Sequence, residues 1–245
     1  MLNISIRPEY IFFLFGFPVT NSFFTAVIVS CFLIFFAFLY RYAHEGNSIA
    51  DYITFSCSQL LRLINNVTND RKLSRQLFPL IATFFIFILT ANIFELLPGF
   101  LGAFFINNNG KHVPFLRSPN SDLTITLALA IISVAAIQYF SFRELGWRGY
   151  TKRFIDLTNP VTLILGFFEL LSEFVKILSF SFRLYGNLFA GEVLLLVIAF
   201  LVPYIIPIPF MFLEVFIGII QAFIFAILTL TFIKVSCTKN NESFS

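Results

Sequence analysis

Five long apolar segments constrain this chain more than any other feature of its sequence. A helix needs about 20 apolar residues to cross the hydrocarbon core of a bilayer. Hydrophobic residues make up 58% of the 245 residues and charged residues 12%, whereas a soluble domain is usually about 25% charged. The sequence therefore predicts an all-α, polytopic membrane protein with a single membrane domain over residues 1–245, and it excludes a soluble globular enzyme. The predicted membrane helices are 22–42, 77–98, 123–142, 161–202 and 208–234.

Two of these segments allow more than one interpretation. The run at 22–42 is longer than the apolar region of a secretory signal, about 7 to 15 residues, which favours a retained membrane helix. As one helix, the run at 161–202 would be roughly 63 Å long, about twice the thickness of the hydrocarbon core. It is either two spans without a loop or one oblique helix, and the lack of a Pro or charge cluster after Pro160 favours one helix. We expect the last two helices to be long and tilted.

The segment 47–72 differs from the membrane helices. Its apolar residues recur near helical spacing, with polar residues such as Asp51, Ser58 and Arg62 between them. This pattern predicts an amphipathic helix that lies in the membrane interface. The alternative is a small amphipathic domain packed on the membrane helices. The apolar positions are Ile49, Ile53, Leu60, Leu61, Ile64 and Val67.

Basic residues are distributed unevenly between the loops. The positive-inside rule uses this difference, and it predicts that the amino terminus is outside and the carboxyl terminus inside. Five crossings satisfy both positions, and the turn at 203–209 then faces outside. The inside group is Arg41, Arg62, Arg71, Lys72, Arg75, Arg143, Arg148, Lys152, Arg153, Lys234 and Lys239, and the outside group is Arg7, Lys111 and Arg117.

Cysteine, histidine and net charge exclude several further classes of protein. Cys31, Cys57 and Cys237 are too few and too scattered for a disulfide framework, and His44 and His112 form no cluster with metal-ligand spacing. The formal net charge is only +3, and the basic residues lie in separate clusters, which disfavours nucleic-acid binding. We therefore expect no cofactor, no metal site and no nucleic-acid partner.

Ionisable residues inside the predicted membrane helices are the strongest functional signal. Each costs about 2.5 to 3.5 kcal/mol at the centre of a membrane helix. Glu169, Lys176 and Arg183 recur every seven residues, so they form one stripe that Asn187 continues. The full set is Glu169, Glu173, Lys176, Arg183 and Glu192 in 161–202, with Glu214 and Gln221 in 208–234.

These residues have a structural interpretation as well as a functional one. Glu169 and Glu173 could neutralise Lys176 as ion pairs, and Gln221 could form a hydrogen bond to a neighbouring helix. Arg183 has no acid three or four residues away, and it cannot usefully lose its proton. Its carboxylate partner therefore lies elsewhere, on another helix or on another protein.

Arg183 also separates two groups of proton-exchanging residues along the membrane. Glu169, Glu173 and Lys176 fall toward the predicted inner end of the long helix, whereas Glu192 and Glu214 fall toward the outer end. This order predicts two polar paths that end at a permanent positive charge. Two offset paths, unlike a continuous pore, do not dissipate an ion gradient.

The segments SFRLYGNLFAGE at 181–192 and GIIQAFIFAILTLTFI at 218–233 resemble subunit a of the F-type ATP synthases. The segment SPNSDLTITLALA at 118–130 and the stretch LLSEFVKILSF before Ser181 support this resemblance. It extends over most of residues 77–235, and residues 1–70 resemble the family only in arrangement.

The resemblance implies a non-catalytic membrane subunit beside a rotating ring of c subunits, each of which carries a carboxylate. Protons would enter and leave the ring through two half-channels, and the expected partners are the c-ring, other stator subunits and membrane lipid. Arg183 matches the family's essential arginine. Asn187, Glu192, Glu214 and Gln221 match positions of the outer half-channel, Glu169, Glu173 and Lys176 lie on the inner side, and Asp122 is a possible channel entrance.

One position departs from the family's pattern. Relatives often have one Glu and one His where this chain has Glu192 and Glu214. Two nearby carboxylates can share a proton, so we expect this pair to replace a histidine relay.

Two other functions and two compartments remain as alternatives. A secondary cation/proton transporter is usually built from repeated halves, which this sequence does not show, and a structural subunit of a respiratory complex would not explain the Arg183 stripe. The amino terminus does not have the composition of a transit peptide. We expect the mitochondrial inner membrane, with synthesis inside the organelle, and the bacterial plasma membrane is the alternative.

Overall fold

The chain folds into long α-helices joined by short connections. The computed structural model describes residues 10–14, 17–42, 48–96, 105–108, 111–114, 118–154, 160–202 and 205–238. Five helices are long and apolar enough to cross a membrane, which confirms the predicted all-α polytopic fold. The helices are α1 Asn21–Tyr42, α2 Ser48–Thr68, α3 Arg71–Leu96, α4 Leu123–Phe154, α5 Pro160–Leu201 and α6 Pro207–Thr238, and a 3₁₀ turn covers Pro119–Ser121.

Some residues used in the sequence predictions lie outside the described part of the chain. They are Arg7, His44, Arg117, Pro203 and Lys239. The predicted orientation in the membrane depends on several of them and stays a prediction.

The long helix α5 is continuous, as its sequence predicts. It runs from Pro160 to Leu201, which corresponds to roughly 63 Å at about 1.5 Å per residue. Helix α6 begins at Pro207, so both Pro207 and Pro209 fall in its first turn. A proline there removes an N–H group that has no partner within the helix anyway.

Helix α3 begins earlier than the apolar pattern predicts, at Arg71 rather than at residue 77. Asp70 explains the difference, because its Oδ1 accepts a hydrogen bond from the Lys72 backbone N–H at 2.8 Å. The Ser74 N–H donates to the Asp70 carbonyl at 2.9 Å. Polar residues therefore form the first turn of this helix.

Helix α4 extends beyond the predicted end at residue 142, but it bends sharply. Gly146 has φ 69 and ψ 174, a left-handed conformation that glycine adopts without steric cost. The hydroxyl of Tyr150 donates to Gln138 Oε1 at 3.1 Å, although twelve residues of straight helix would separate these positions by about 18 Å. The chain after Gly146 therefore turns back along α4.

Two short β-hairpins are present that the sequence analysis did not predict. β1 Tyr10–Leu14 pairs antiparallel with β2 Phe17–Thr20, and β3 Phe105–Asn108 pairs antiparallel with β4 Lys111–Pro114. Each precedes or separates membrane helices, so neither changes the all-α class of the membrane domain.

The core lies between α3, α4, α5 and α6. Helix α4 packs on α5, and α3 packs on α6. Phe225 is fully buried at the centre, with ring centroids 5.4 Å from Phe84 and 5.0 Å from Phe180. The hydroxyls of Ser133 and Thr229 are 2.8 Å apart between α4 and α6. Apolar side chains contact lipid as favourably as they contact another helix, so apolar burial alone does not hold the helices together. Aromatic contacts and small polar pairs do so here.

Helix α2 is a single amphipathic helix that packs on α3 and α6. Ile64 is fully buried, whereas Tyr52 and Phe55 are exposed. At its carboxyl end, Lys234 of α6 donates through Nζ to the Val67 carbonyl at 2.5 Å. A cation is favourable at this end of a helix, because the last carbonyls carry partial negative charge.

We predict that Lys234→Met destabilises the last turn of α2. The variant removes a charge-assisted hydrogen bond to the Val67 carbonyl, so amide exchange in residues 64–68 should become about tenfold faster. Hydrogen–deuterium exchange with mass spectrometry on the full chain measures this. Lys72→Met is the matched control, since the Lys72 ammonium has no hydrogen bond within the described ranges. Unchanged protection of residues 64–68 in Lys234→Met would contradict the prediction.

Candidate functional site

Arg183 lies near the middle of α5, and its side chain is partly exposed. The Nη2 atom donates to Ser179 Oγ, one turn earlier, at 3.4 Å. Among the residues that the structure describes, no carboxylate pairs with this guanidinium. The cation is therefore available to a carboxylate outside the described part of this chain.

Asn187 and Gln221 connect the two helices one turn beyond Arg183. The Asn187 Nδ2 atom donates to Gln221 Oε1 at 3.0 Å. Gln221 is almost fully buried, and its Nε2 atom has no hydrogen-bond partner. The predicted polar stripe of α5 therefore meets Gln221 of α6 at this bridge, and the Gln221 Nε2 atom remains an unused donor next to it.

Glu214 lies against α5 at the level of Glu192. A Cβ added to Gly191 would be 2.7 Å from Glu214 Oε1 and 3.2 Å from its carboxyl carbon. Glu214 is 5% exposed, and both of its carboxyl oxygens are buried without a hydrogen-bond partner. Glu192 follows Gly191 directly in α5. The structure thus brings the two predicted glutamates together, and Gly191 provides the space.

On the other side of Arg183, the structure favours ion pairing for two predicted channel residues. Lys176 Nζ donates to Glu173 Oε1 at 2.8 Å, and both side chains are largely buried. The same ammonium lies 5.1 Å from the centre of the Phe232 ring, within cation–π distance. Glu169 lies on the same stripe, two turns before Lys176, and is partly buried.

Asp122 has a structural role at the beginning of α4. Its Oδ1 accepts a hydrogen bond from the Thr124 N–H at 2.9 Å, the geometry of a helix N-cap. The residue is 4% exposed, so its carboxylate lies inside the bundle rather than at an open entrance. Its use as a channel entrance stays a prediction.

Sequence reasoning missed an amide cluster formed by Asn92 and Asn120. Asn120 Nδ2 donates to Asn92 Oδ1 at 2.7 Å, and Asn92 Nδ2 donates to the Gly218 carbonyl at 3.0 Å. Gly218 lies between Glu214 and Gln221 on one face of α6, and Asn120 Oδ1 is buried without a partner. The cluster therefore fixes α3 and the 3₁₀ turn to the polar face of α6. Asn92 is an amide inside the apolar run 77–98, and this was the signal in the sequence that could have indicated the cluster.

The arrangement separates two polar regions along α5. Lys176 is seven residues, or about 10 Å, before Arg183, and Glu192 is nine residues, or about 14 Å, after it. We call the end with Glu192 and Glu214 the acidic end, and the end with Arg71, Lys72, Arg75 and Lys234 the basic end. Groups that can exchange protons thus lie on both sides of a fixed cation. Among the described residues, no group of three or more His, Cys, Asp or Glu side chains could hold a metal ion.

Comparison with known proteins gives a consistent result. The family model described as ATP synthase A chain matches residues 21–234. An ATP synthase subunit a of Moorella thermoacetica is 37% identical over 162 residues, 66% of this chain and 65% of that protein. One of Legionella pneumophila strain Paris is 30% identical over 221 residues, 89% of this chain and 86% of that protein. One of Campylobacter jejuni strain RM1221 is 33% identical over 177 residues, 71% of this chain and 70% of that protein. The chain thus spans a little under two thirds of the Moorella relative.

We predict that Gly191→Ala destabilises the contact between α5 and α6. The added methyl group would overlap with the Glu214 carboxylate, and overpacking of this kind costs about 1 to 3 kcal/mol. The Tm of the purified full chain should fall by about 2 °C or more.

Gly186→Ala is the matched control, because a Cβ there meets nothing within 4 Å. Glu214→Ala should remove most of the penalty of Gly191→Ala in a double-mutant cycle. A penalty of the same size with and without the Glu214 side chain would be inconsistent with the contact.

Proposed function

Because the chain belongs to the ATP synthase A chain family, we propose that it carries protons to and from a ring of c subunits in the membrane part of an F-type ATP synthase. Protons would pass through two offset half-channels, and their flow would drive rotation and ATP synthesis. The observation that carries this proposal is the Arg183 guanidinium, which donates a hydrogen bond to Ser179 and has no carboxylate partner in the described part of the chain.

Arg183 acts on the carboxylate of each c subunit that passes it. An opposite charge within about 4 to 6 Å favours the ionised form of a carboxylate, so the ring residue releases its proton as it approaches. After passing, the carboxylate takes up a proton from the other path, because an unpaired charge is too costly in lipid. The fixed positive charge also opposes direct passage of protons between the two paths.

The acidic end supplies one half-channel in this mechanism. Glu192 and Glu214 exchange protons with the adjacent compartment, and the Asn187–Gln221 bridge lies between them and Arg183 along α5. The buried, unpartnered oxygens of Glu214 and the Nε2 atom of Gln221 are groups that water or a moving proton can satisfy. Asp122 belongs to the same end, where it begins α4.

The other half-channel lies toward the basic end and includes Glu169, Glu173 and Lys176. The Glu173–Lys176 ion pair keeps this region polar without adding net charge. Glu169 is the member of this group nearest to the basic end along α5. Because Lys176 is already paired, we assign proton exchange on this side to the carboxylates rather than to the ammonium group.

Helix α5 has a surface that suits contact with a ring of helices. Apolar side chains that are more than half exposed lie on the Arg183 face of the helix on either side of that residue, Leu165 and Phe168 before it and Leu201 after it. A partner helix could therefore pack there and place a carboxylate near the guanidinium. We assign this surface to the c-ring and the remaining lipid-facing surfaces to other stator subunits and membrane lipid.

The driving force comes from the membrane. Moving one charge through 100 mV yields about 2.3 kcal/mol, so transport through the paths can turn the ring in one direction. This chain would move protons without catalysing a covalent reaction. The curated relatives reported above are bacterial, which fits the plasma-membrane alternative, and the mitochondrial inner membrane finds no support among them.

We predict that Arg183→Gln abolishes proton-driven ATP synthesis, because glutamine keeps much of the side-chain length but has no charge to attract the ring carboxylate. ATP synthesis in inverted vesicles that contain the assembled complex measures this. Arg143→Gln on α4 is the matched control and should retain activity. Normal synthesis in assembled Arg183→Gln complexes would refute the proposal.

We predict that the double variant Glu192→Gln/Glu214→Gln slows proton flux and leaves assembly intact, because amides cannot exchange protons in the working pH range. Passive proton flux through the membrane part of the complex measures the effect. Glu144→Gln on α4, an exposed glutamate, is the control. Flux equal to that of the control would remove both residues from the path.

A further inference from the structure

We propose that the corner between α2 and α3 binds the headgroup of an anionic phospholipid, through its phosphate and a headgroup hydroxyl. A cavity of about 340 Å³ lies at this corner, lined by two arginines, three asparagines and one aspartate. The proposal rests on the membrane-spanning fold and does not depend on the proton-transfer function. The lining residues are Arg62, Asn65, Asn66, Asn69, Asp70 and Arg71.

The charges of this cavity favour an anion. Arg62 and Arg71 are exposed, and neither has a carboxylate partner within the described ranges. Asp70 is the opposing charge, but its Oδ1 is engaged by the Lys72 N–H at the start of α3. A neighbouring cleft that shares Arg71 is lined by Lys72, Arg75 and Gln76, which adds two further cations. Two guanidinium groups present paired N–H donors that match the oxygens of a phosphate.

The backbone holds these cations in place. Asn69 has φ 57, which ends α2 and reverses the chain. The hydroxyls of Thr68 and Ser74 are 2.5 Å apart in the interior of the turn, and Ser74 Oγ also donates to the Asp70 carbonyl at 2.6 Å. Arg62 on α2 and Arg71 on α3 are therefore presented by a turn with satisfied internal hydrogen bonds.

The position of the corner favours a lipid over a soluble anion. The apolar segment of α3 extends over 24 residues, Arg71–Phe94, or about 36 Å, which exceeds a hydrocarbon core of about 30 Å. The basic end of α3 therefore extends to the headgroup region. Exposed apolar side chains of α2, including Tyr52 and Phe55, lie on the helix that leads to the cavity, as in helices that lie in the interface.

Asn65 indicates what else the headgroup should contain. Its Oδ1 atom is buried and has no hydrogen-bond partner, although it belongs to a residue that lines the cavity. This acceptor requires a donor, which a phosphate diester lacks. A glycerol headgroup provides both the phosphate for the arginines and a hydroxyl for Asn65.

Native mass spectrometry of the full chain in a zwitterionic detergent tests the proposal. The chain should retain phosphatidylglycerol in preference to phosphatidylcholine, and Arg62→Gln/Arg71→Gln should weaken this retention by about fivefold for each arginine. Arg143→Gln is the matched control, because this exposed arginine lies on α4 and does not line the cavity. Equal retention of the two lipids, or unchanged retention in the double variant, would overturn the proposal.

Two further binding experiments identify the ligand. Inorganic phosphate should not displace phosphatidylglycerol; displacement would assign the cavity to a soluble anion instead. Phosphatidylmethanol, which keeps the charged phosphate but has no hydroxyl, should bind about fivefold more weakly to the unmodified chain and equally to Asn65→Leu. Equal binding of the two lipids to the unmodified chain would remove Asn65 from the site.

If only an acidic segment of another subunit protects Arg62 and Arg71 from labelling in the complex, the cavity is a protein contact and the lipid assignment is wrong.

Discussion

A charged guanidinium in the interior of a membrane protein needs a negative partner, and Arg183 has none in the described part of its own chain. The hydrogen bond that it donates to the Ser179 hydroxyl, at 3.4 Å, is weak for an ion. The described structure leaves that charge accessible, because Glu173 on the basic side is held by Lys176 and Glu192 lies nine residues, or about 14 Å, away along α5. Within the described residues the charge of Arg183 thus lacks a carboxylate, which is what the proposed contact with a ring carboxylate requires.

The two sides of Arg183 are built differently. Toward the basic end, opposite charges form a pair that needs little from its surroundings. Toward the acidic end, Glu214 lies against Gly191, next to Glu192, and its two carboxyl oxygens have no hydrogen-bond partner. This asymmetry gives the two ends of one helix pair different electrostatic surroundings.

Sequence reasoning predicted what depends on apolar periodicity and on charge in apolar runs. The five membrane helices follow from the length of the apolar runs, and the continuous α5 follows from the lack of a Pro or charge cluster after Pro160. It did not predict the earlier start of α3, because a cap such as Asp70 acts through one hydrogen bond rather than through a pattern. The role of Gly191 and the Asn92–Asn120 cluster were also missed, since both depend on which helices are neighbours. The two hairpins give too short an alternation to be distinguished from loops.

The bend at Gly146 has a consequence for how the protein sits in its surroundings. Since the chain reverses there, Trp147 and Tyr150 both contact Phe142, and Trp147 remains 71% exposed. An amphipathic ring of this kind prefers the boundary between lipid and water. Helix α2 reaches α6 at the basic end through Lys234, so Trp147 and α2 give the bundle two amphipathic elements that lipid headgroups can hold at a fixed depth.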